Sequence, residues 1–111
     1  MSSATGHFIA QRISAVMLAV LGLWFAGSIN GLHGFGHETV FAFVTQPLNT
    51  VLLALMSATL AYHSYLGVQV VIDDYVHARR LNAAAHLASR IAHVLMGLVS
   101  IGAIGSAGFG A

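Results

Sequence analysis

The sequence of 111 residues contains 6% charged residues, against about 25% in soluble domains, and 58% apolar residues, against roughly 45–50%. This composition excludes a water-soluble domain and a disordered chain, and the net charge of +1 without a basic patch excludes a nucleic-acid-binding protein. The absence of cysteine excludes disulfides, thiolate nucleophiles and cysteine-ligated metals. The seven histidines outnumber the four arginines, so the candidate functional groups are imidazoles.

Charged residues divide the chain into three long apolar stretches. No charge occurs in residues 13–37, 39–72 or 91–111. Each stretch is long enough for a helix of about 20 apolar residues to cross the hydrocarbon core. Lipid-exposed backbone must bond internally, and the alternation that a β-barrel needs is absent. We therefore predict an all-α membrane protein with one domain, residues 1–111. The predicted transmembrane helices cover residues 12–30, 47–75 and 83–107.

The connections between these helices differ in character. Glycines predict a loop over residues 30–38, and residues 38–46 suggest a short amphipathic segment at the membrane interface. Residues 76–82 hold two arginines and reverse the chain. Residues 26–28 resemble a signal-peptide cleavage site, but a single preceding arginine favours a retained helix.

The arginines predict the orientation. With three crossings, the N-terminus and the connection between the second and third helices lie on one side of the membrane. All four arginines fall on that side, whereas the other connection carries only Glu38. The positive-inside rule places the arginines in the cytoplasm and predicts an up-down-up chain with a cytoplasmic N-terminus. The expected location is a bacterial inner membrane, or its mitochondrial equivalent.

His63 is the most informative intramembrane residue. At 100° per residue, His63, Gly67, Val70 and Asp74 share one helix face. Asp74 lies about 16 Å further along the axis, towards the cytoplasmic edge. Ionisable residues inside a span mark function by default. A neutral imidazole there suits haem iron, but it suits a hydrogen bond between packed helices too, and the residues alone leave both readings open.

The third helix offers a second intramembrane histidine. His86, Arg90 and His93 share one of its faces, and antiparallel packing would place His93 at the depth of His63. A haem held by both histidines of this one chain is therefore an alternative. His33 and His37 have the spacing of a helical metal pair, but glycines interrupt any helix there, so we expect solvated loop histidines. No role is assigned to His77, His86, Arg90 or Asp73.

Two motifs resemble the small hydrophobic membrane-anchor subunit of succinate dehydrogenase (respiratory complex II), of the D-type. His63–Val76, HSYLGVQVVIDDYV, is similar to the H-x-x-x-G-x-x-x-x-x-x-D-Y motif of that family. His7–Val16, HFIAQRISAV, resembles the start of the family's first helix. The number, length and orientation of the predicted helices agree with the family over essentially the whole chain.

The resemblance implies a four-subunit succinate:quinone oxidoreductase. A flavoprotein subunit carrying FAD oxidises succinate, and an iron–sulfur subunit passes the electrons to ubiquinone at the membrane surface. This chain and a second, C-type anchor subunit form a haem-binding bundle, and each anchor supplies one axial histidine to a shared haem b. The chain is accordingly expected to be non-catalytic alone.

The resemblance also assigns residues. His63 matches the haem b axial ligand, and Tyr75 matches the tyrosine that hydrogen-bonds quinone. Asp74 matches the aspartate that supports the quinone site by pairing with an arginine. Arg12 matches an arginine near the haem propionates or quinone pocket.

Two other classes of function stay open at the sequence level. One is the cytochrome b anchor of another membrane dehydrogenase, such as a formate dehydrogenase or hydrogenase. The other is a non-redox helical scaffold or transporter subunit whose histidines are structural.

Overall fold

The computed structural model describes residues 4–110, which form four helices, three of them long and apolar enough to cross a membrane. The helices are α1 (Ala4–Asn30), α2 (His37–Thr45), α3 (Pro47–Tyr75) and α4 (Arg79–Phe109). No strand occurs among the described residues. These observations confirm the prediction of an all-α protein with three membrane-spanning helices.

The helix bounds agree with the sequence prediction for α3 and differ for its neighbours. α1 begins at Ala4 rather than near Arg12, and α4 begins at Arg79 rather than near Ala83 and continues to Phe109. The prediction placed the first and third helices around their apolar stretches. Arginine, glutamine and alanine favour helix as strongly as most apolar residues, so the helices continue where the apolar stretches end.

The connections are short. Six residues, 31–36, separate α1 from α2, and Gly34 adopts a φ of 125° that side chains disfavour. α2 corresponds to the short segment predicted over residues 38–46 and is a helix. At the start of α3, the Gln46 side chain accepts a hydrogen bond from the Asn49 backbone N–H at 3.0 Å. Pro47 occupies the first turn, where its missing N–H costs nothing. Residues 76–78 alone reverse the chain between α3 and α4.

α3 is the central helix. It packs against α1 on one side and α4 on the other, whereas α1 and α4 do not approach each other within 8 Å between Cα atoms. α2 packs against α3 and α4. Gly108 of α4 lies so near α3 that a Cβ atom at this position would collide with the Thr50 side chain. The absence of a side chain at Gly108 therefore lets the end of α4 approach the start of α3.

Very little apolar surface is buried within this chain. Within residues 4–110, the buried hydrophobic residues are Leu21, Leu53, Leu66 and Ile72. α4 has no buried residue at all, although it is 31 residues long. Large apolar side chains are exposed along all three long helices. Helices with such apolar outer faces need lipid or another chain against those faces.

Candidate functional site

His63 lies at the interface of α3 with α1 and is half-buried. Its Nδ1 is 2.8 Å from the Ser14 hydroxyl oxygen, and this hydroxyl donates to the Gln11 carbonyl oxygen at 3.1 Å. A hydroxyl has one proton, and when Ser14 gives it to Gln11 the Ser14 oxygen is free to accept from Nδ1–H of His63. In that arrangement Nε2 of a neutral His63 ring carries the lone pair.

The Nε2 atom of His63 has no hydrogen-bond partner within residues 4–110. Neutral imidazole binds iron through such a lone pair. The half-buried position and the unpartnered Nε2 therefore fit the ligand role that the sequence predicts for His63.

His93 has the opposite arrangement. Its Nδ1 is 2.7 Å from the Ser89 carbonyl oxygen, which can only accept, so Nδ1 carries the proton. Its Nε2 lies 3.0 Å from the Ser64 hydroxyl and accepts from it. Tyr65 packs edge-on against the His93 ring, with ring centroids 5.8 Å apart. Both His93 nitrogens are thus occupied inside the α3–α4 interface.

These contacts bear on the alternative in which His63 and His93 of this one chain both hold the haem. The contact of Ser64 with His93 places His93 at the depth of His63, as antiparallel packing predicts. The two rings nevertheless lie at different interfaces, one towards α1 and the other towards α4. Since α1 and α4 are held apart by α3, the geometry favours His63 alone as the available ligand.

Asp74 and Tyr75 are the last two residues of α3, and both are exposed. Tyr75 is 80% exposed, and no hydrogen bond joins its hydroxyl to any described residue. Asp74 is exposed and forms no ion pair with an arginine within residues 4–110. It borders a cleft of about 430 Å³ between the start of α1, the end of α3 and the start of α4. The polar residues lining this cleft are His7, Gln69, Asp73, Asp74 and His86.

Arg12 is exposed on α1, with its guanidinium carbon 5.5 Å from the centre of the Phe8 ring. It lies two residues before Ser14, about 3 Å along the helix axis. Because Ser14 contacts His63, Arg12 is close to the depth of His63. At 100° per residue, however, Arg12 lies on the face of α1 opposite to Ser14, so it shares the depth of His63 and not its interface.

Asp73, which the sequence leaves without a role, ties the end of α3 to the start of α4. Its Oδ1 accepts from Asn82 Nδ2 at 3.1 Å and lies 2.7 Å from His86 Nε2. Asn82 also donates to the Val76 carbonyl oxygen at 3.0 Å. The i, i+4 spacing of Asn82 and His86 places them on one face, and that spacing was the available sequence signal.

Ser14 is the other residue that sequence reasoning missed. It lies inside the His7–Val16 motif, but its partner is 49 positions away in the chain. Contact between Ser14 and His63 depends on the register of α1 against α3, which hydrophobic patterning does not specify. His33 and His37 are both exposed; His33 lies in the loop as expected, whereas His37 is the first residue of α2.

Comparison with known sequences assigns the chain to a family. The profile of the succinate dehydrogenase/fumarate reductase transmembrane subunits matches residues 1–103. The chain belongs to this family. The resemblance read from the two motifs is thereby confirmed.

Individual relatives agree with this membership. The succinate dehydrogenase hydrophobic membrane anchor subunit of Rickettsia bellii (strain RML369-C) is 28% identical over 93 residues, covering 84% of this chain and 74% of the relative. The subunit of the same name from Rickettsia prowazekii (strain Madrid E) is 31% identical over 84 residues, covering 71% and 63%. That from Rickettsia felis (strain ATCC VR-1525 / URRWXCal2) is 29% identical over 80 residues, covering 72% and 67%.

Proposed function

We propose that this chain is the small hydrophobic anchor of a succinate:quinone oxidoreductase and that it helps to bind a haem b and a quinone. Membership of the transmembrane-subunit family supports the anchor role. The observation that carries the haem proposal is the contact of His63 Nδ1 with Ser14, while Nε2 has no hydrogen-bond partner within residues 4–110. A non-redox scaffold would have no need of an intramembrane imidazole with an unused lone pair.

His63 supplies one axial ligand in this proposal, and a histidine of the second, C-type anchor subunit supplies the other. His93 is unsuited because both of its nitrogens are occupied. A haem b bound between two histidines has no open coordination position and supplies one-electron transfer. Arg12 lies close to the depth of His63, where a guanidinium pairs well with a carboxylate such as a haem propionate.

Tyr75 is the proposed quinone-binding residue. Its exposed hydroxyl is not used within residues 4–110, so it is available to donate a hydrogen bond to a quinone carbonyl oxygen. Such a donor stabilises the negative charge that builds on the oxygen during reduction. The adjacent Asp74 supports the site by pairing with an arginine of a partner subunit and by passing protons from the cytoplasmic side.

The soluble subunits dock at the end of the bundle that carries Tyr75 and the 76–78 turn. Arg79 and Arg80 lie there, so the positive-inside rule places this end in the cytoplasm of a bacterium. The flavoprotein and iron–sulfur subunits hold FAD and the clusters, and this chain is non-catalytic alone. The exposed apolar faces of α1 and α4 contact the second anchor and lipid.

The decisive experiment replaces His63 in the assembled complex. The chain is expressed with its partner subunits, purified in mild detergent and measured by absorption spectroscopy. We expect a low-spin bis-histidine haem b spectrum in the parent, loss or alteration of that spectrum in His63→Ala, and an unchanged spectrum in His33→Ala, which alters an exposed loop histidine.

Two outcomes would contradict the proposal. An unchanged haem spectrum in His63→Ala would remove the ligand assignment. Co-purification with a dehydrogenase that does not oxidise succinate would favour the anchor of a different membrane enzyme.

A further inference from the structure

The Ser14 hydroxyl is unusual among the buried polar side chains of the described residues. These side chains are Ser14, Thr50 and Thr59. Thr59 donates to Leu55 of its own helix turn, and Thr50 donates to nearby backbone carbonyl oxygens. Ser14, which is 4% exposed, is the one that reaches a side chain of a different helix, and that side chain is His63.

The two Ser14 contacts form a continuous path from His63 to the Gln11 carbonyl oxygen. When the hydroxyl donates to Gln11, the Ser14 oxygen faces His63 as an acceptor. Accepting the Nδ1 proton fixes both the tautomer and the plane of the imidazole. It also makes the ring more electron-rich, and hence a more basic metal ligand at Nε2.

We infer that Ser14 is a positioning residue for the axial ligand: through its hydrogen bond to Nδ1 it orients His63 and strengthens its bond to ferric haem iron. This inference rests on the proposed function of His63 and adds a residue that acts on the iron through it. An electron-rich ligand stabilises ferric iron more than ferrous iron. Ser14 therefore holds the reduction potential of the haem below the value it would have without the hydrogen bond.

A purely structural role for the same contact predicts something different. If Ser14 only joined α1 to α3, removing its hydroxyl would lower the stability of the complex. The potential and the spectrum of the haem in the assembled fraction would then stay at their parental values. The ligand environment of the iron therefore separates the two roles, whereas protein yield does not.

The test compares Ser14→Ala, Ser14→Thr and Ser64→Ala in the purified complex. Ser14→Thr keeps the hydroxyl, and threonine in a helix readily bonds the preceding-turn carbonyl as Ser14 does. Ser64→Ala is the matched control, because Ser64 is the neighbouring residue and bonds His93 instead. The readouts are a potentiometric titration of the haem and the electron paramagnetic resonance spectrum of the ferric low-spin state.

We expect Ser14→Ala to favour the ferrous state about tenfold, since outer-sphere partners typically change metal affinity by 10–100-fold. A tenfold change in a one-electron couple is about 59 mV, and here the shift is upward. The resonance signals should shift as well. Ser14→Thr and Ser64→Ala should keep the parental potential and signals. If Ser14→Ala does not assemble, Ser14→Cys replaces it, because a thiol is a weaker acceptor and should raise the potential in the same direction.

Parental potentials and signals in both Ser14→Ala and Ser14→Cys would overturn the inference, and so would an equal shift in Ser64→Ala. These failures are distinct from failure of the proposed function. If His63→Ala abolishes the haem spectrum while the Ser14 variants behave as the parent, His63 is a ligand that Ser14 does not position. If His63→Ala keeps the spectrum, both proposals fall.

Discussion

Ser64 and His93 are joined by a hydrogen bond of 3.0 Å between the hydroxyl oxygen and Nε2. The neighbouring residue, His63, turns instead towards Ser14 on the other side of α3. Consecutive residues of one helix thus contact different neighbouring helices. Within residues 4–110, His63 retains a ring nitrogen without a hydrogen bond, whereas His93 does not. For His93 to bind iron, its ring would have to give up the Ser64 hydroxyl or the Ser89 carbonyl.

His93→Ala is therefore expected to keep the bis-histidine haem spectrum of the complex. The substitution removes a ring that joins α3 to α4, so it should lower stability by about 0.5–1.5 kcal/mol per lost hydrogen bond. Absorption spectra and thermal unfolding of the purified complex measure the two effects separately. Loss of the low-spin haem signal in His93→Ala, with His63→Ala unaffected, would instead assign the iron to His93.

Much of the fold could be predicted because few charges interrupt the hydrophobic stretches. Pro47 and Tyr75 bound α3 as predicted, since proline starts a helix and Asp73 and Asp74 mark the edge of the apolar stretch. The start of α1 was placed too late because no property of an apolar stretch reports how far a helix extends into water. Ala4 begins a helix that is already formed before Arg12.

The candidate site was only partly predictable for a related reason. His63 and Tyr75 are recognisable because their spacing lies within one helix. The Ser14–His63 contact and the bond from Asp73 to His86 depend on how helices meet in space. Register between helices is set by small residues such as Gly108, whose partner Thr50 is 58 positions away in the sequence.

The orientation can be tested because the chain has no cysteine. Single cysteines at Ala78, in the α3–α4 turn, and at His33, in the α1–α2 connection, are both at exposed positions. We expect a membrane-impermeant thiol reagent to label Ala78→Cys from the cytoplasmic side and His33→Cys from the opposite side. Labelling of both positions from one side would contradict the topology with a cytoplasmic N-terminus.

Gly108→Ala should destabilise the contact between α3 and α4. A Cβ atom at this position would collide with the Thr50 side chain, which is fully buried and held by hydrogen bonds to Val44 and Gln46. Overpacking of this kind costs about 1–3 kcal/mol. The matched control is Gly102→Ala, where no atom lies within 4 Å of the new Cβ. Thermal unfolding of the purified complex should show a loss of stability for Gly108→Ala and not for Gly102→Ala. Equal stabilities of the two variants would refute the close approach of Gly108 to Thr50.

Asp73 and Asp74 are adjacent but should have separable functions. Asp73→Ala removes the acceptor of Asn82 and His86, so the stability of the α3–α4 turn should fall while quinone reduction persists. Asp74→Ala removes no hydrogen bond within residues 4–110, so the fold should be kept while quinone reduction falls several-fold. Melting temperatures and quinone reductase rates of both variants check this. Slower quinone reduction in Asp73→Ala, with a lower melting temperature in Asp74→Ala, would contradict the proposed roles.

Tyr75→Phe tests the quinone site with the smallest change available. The hydroxyl bonds no described residue of this chain, so its removal should leave the fold and the haem spectrum unchanged. A hydrogen bond is worth roughly 0.5–1.5 kcal/mol, and more when charge develops on its acceptor. Because about 1.4 kcal/mol corresponds to a factor of ten in rate, quinone-dependent turnover should fall about tenfold or more.

The control for Tyr75→Phe is Tyr62→Phe, another exposed tyrosine of α3, which lies about 20 Å along the axis from Tyr75. It should keep the parental rate of quinone reduction. Succinate oxidation by an artificial acceptor that takes electrons before the quinone site should be nearly unchanged in both variants. If Tyr75 served only to anchor the helix at the membrane interface, Tyr75→Phe would keep quinone reduction or would lose both activities through poor assembly. A selective loss of quinone reduction follows only if the Tyr75 hydroxyl contacts the quinone.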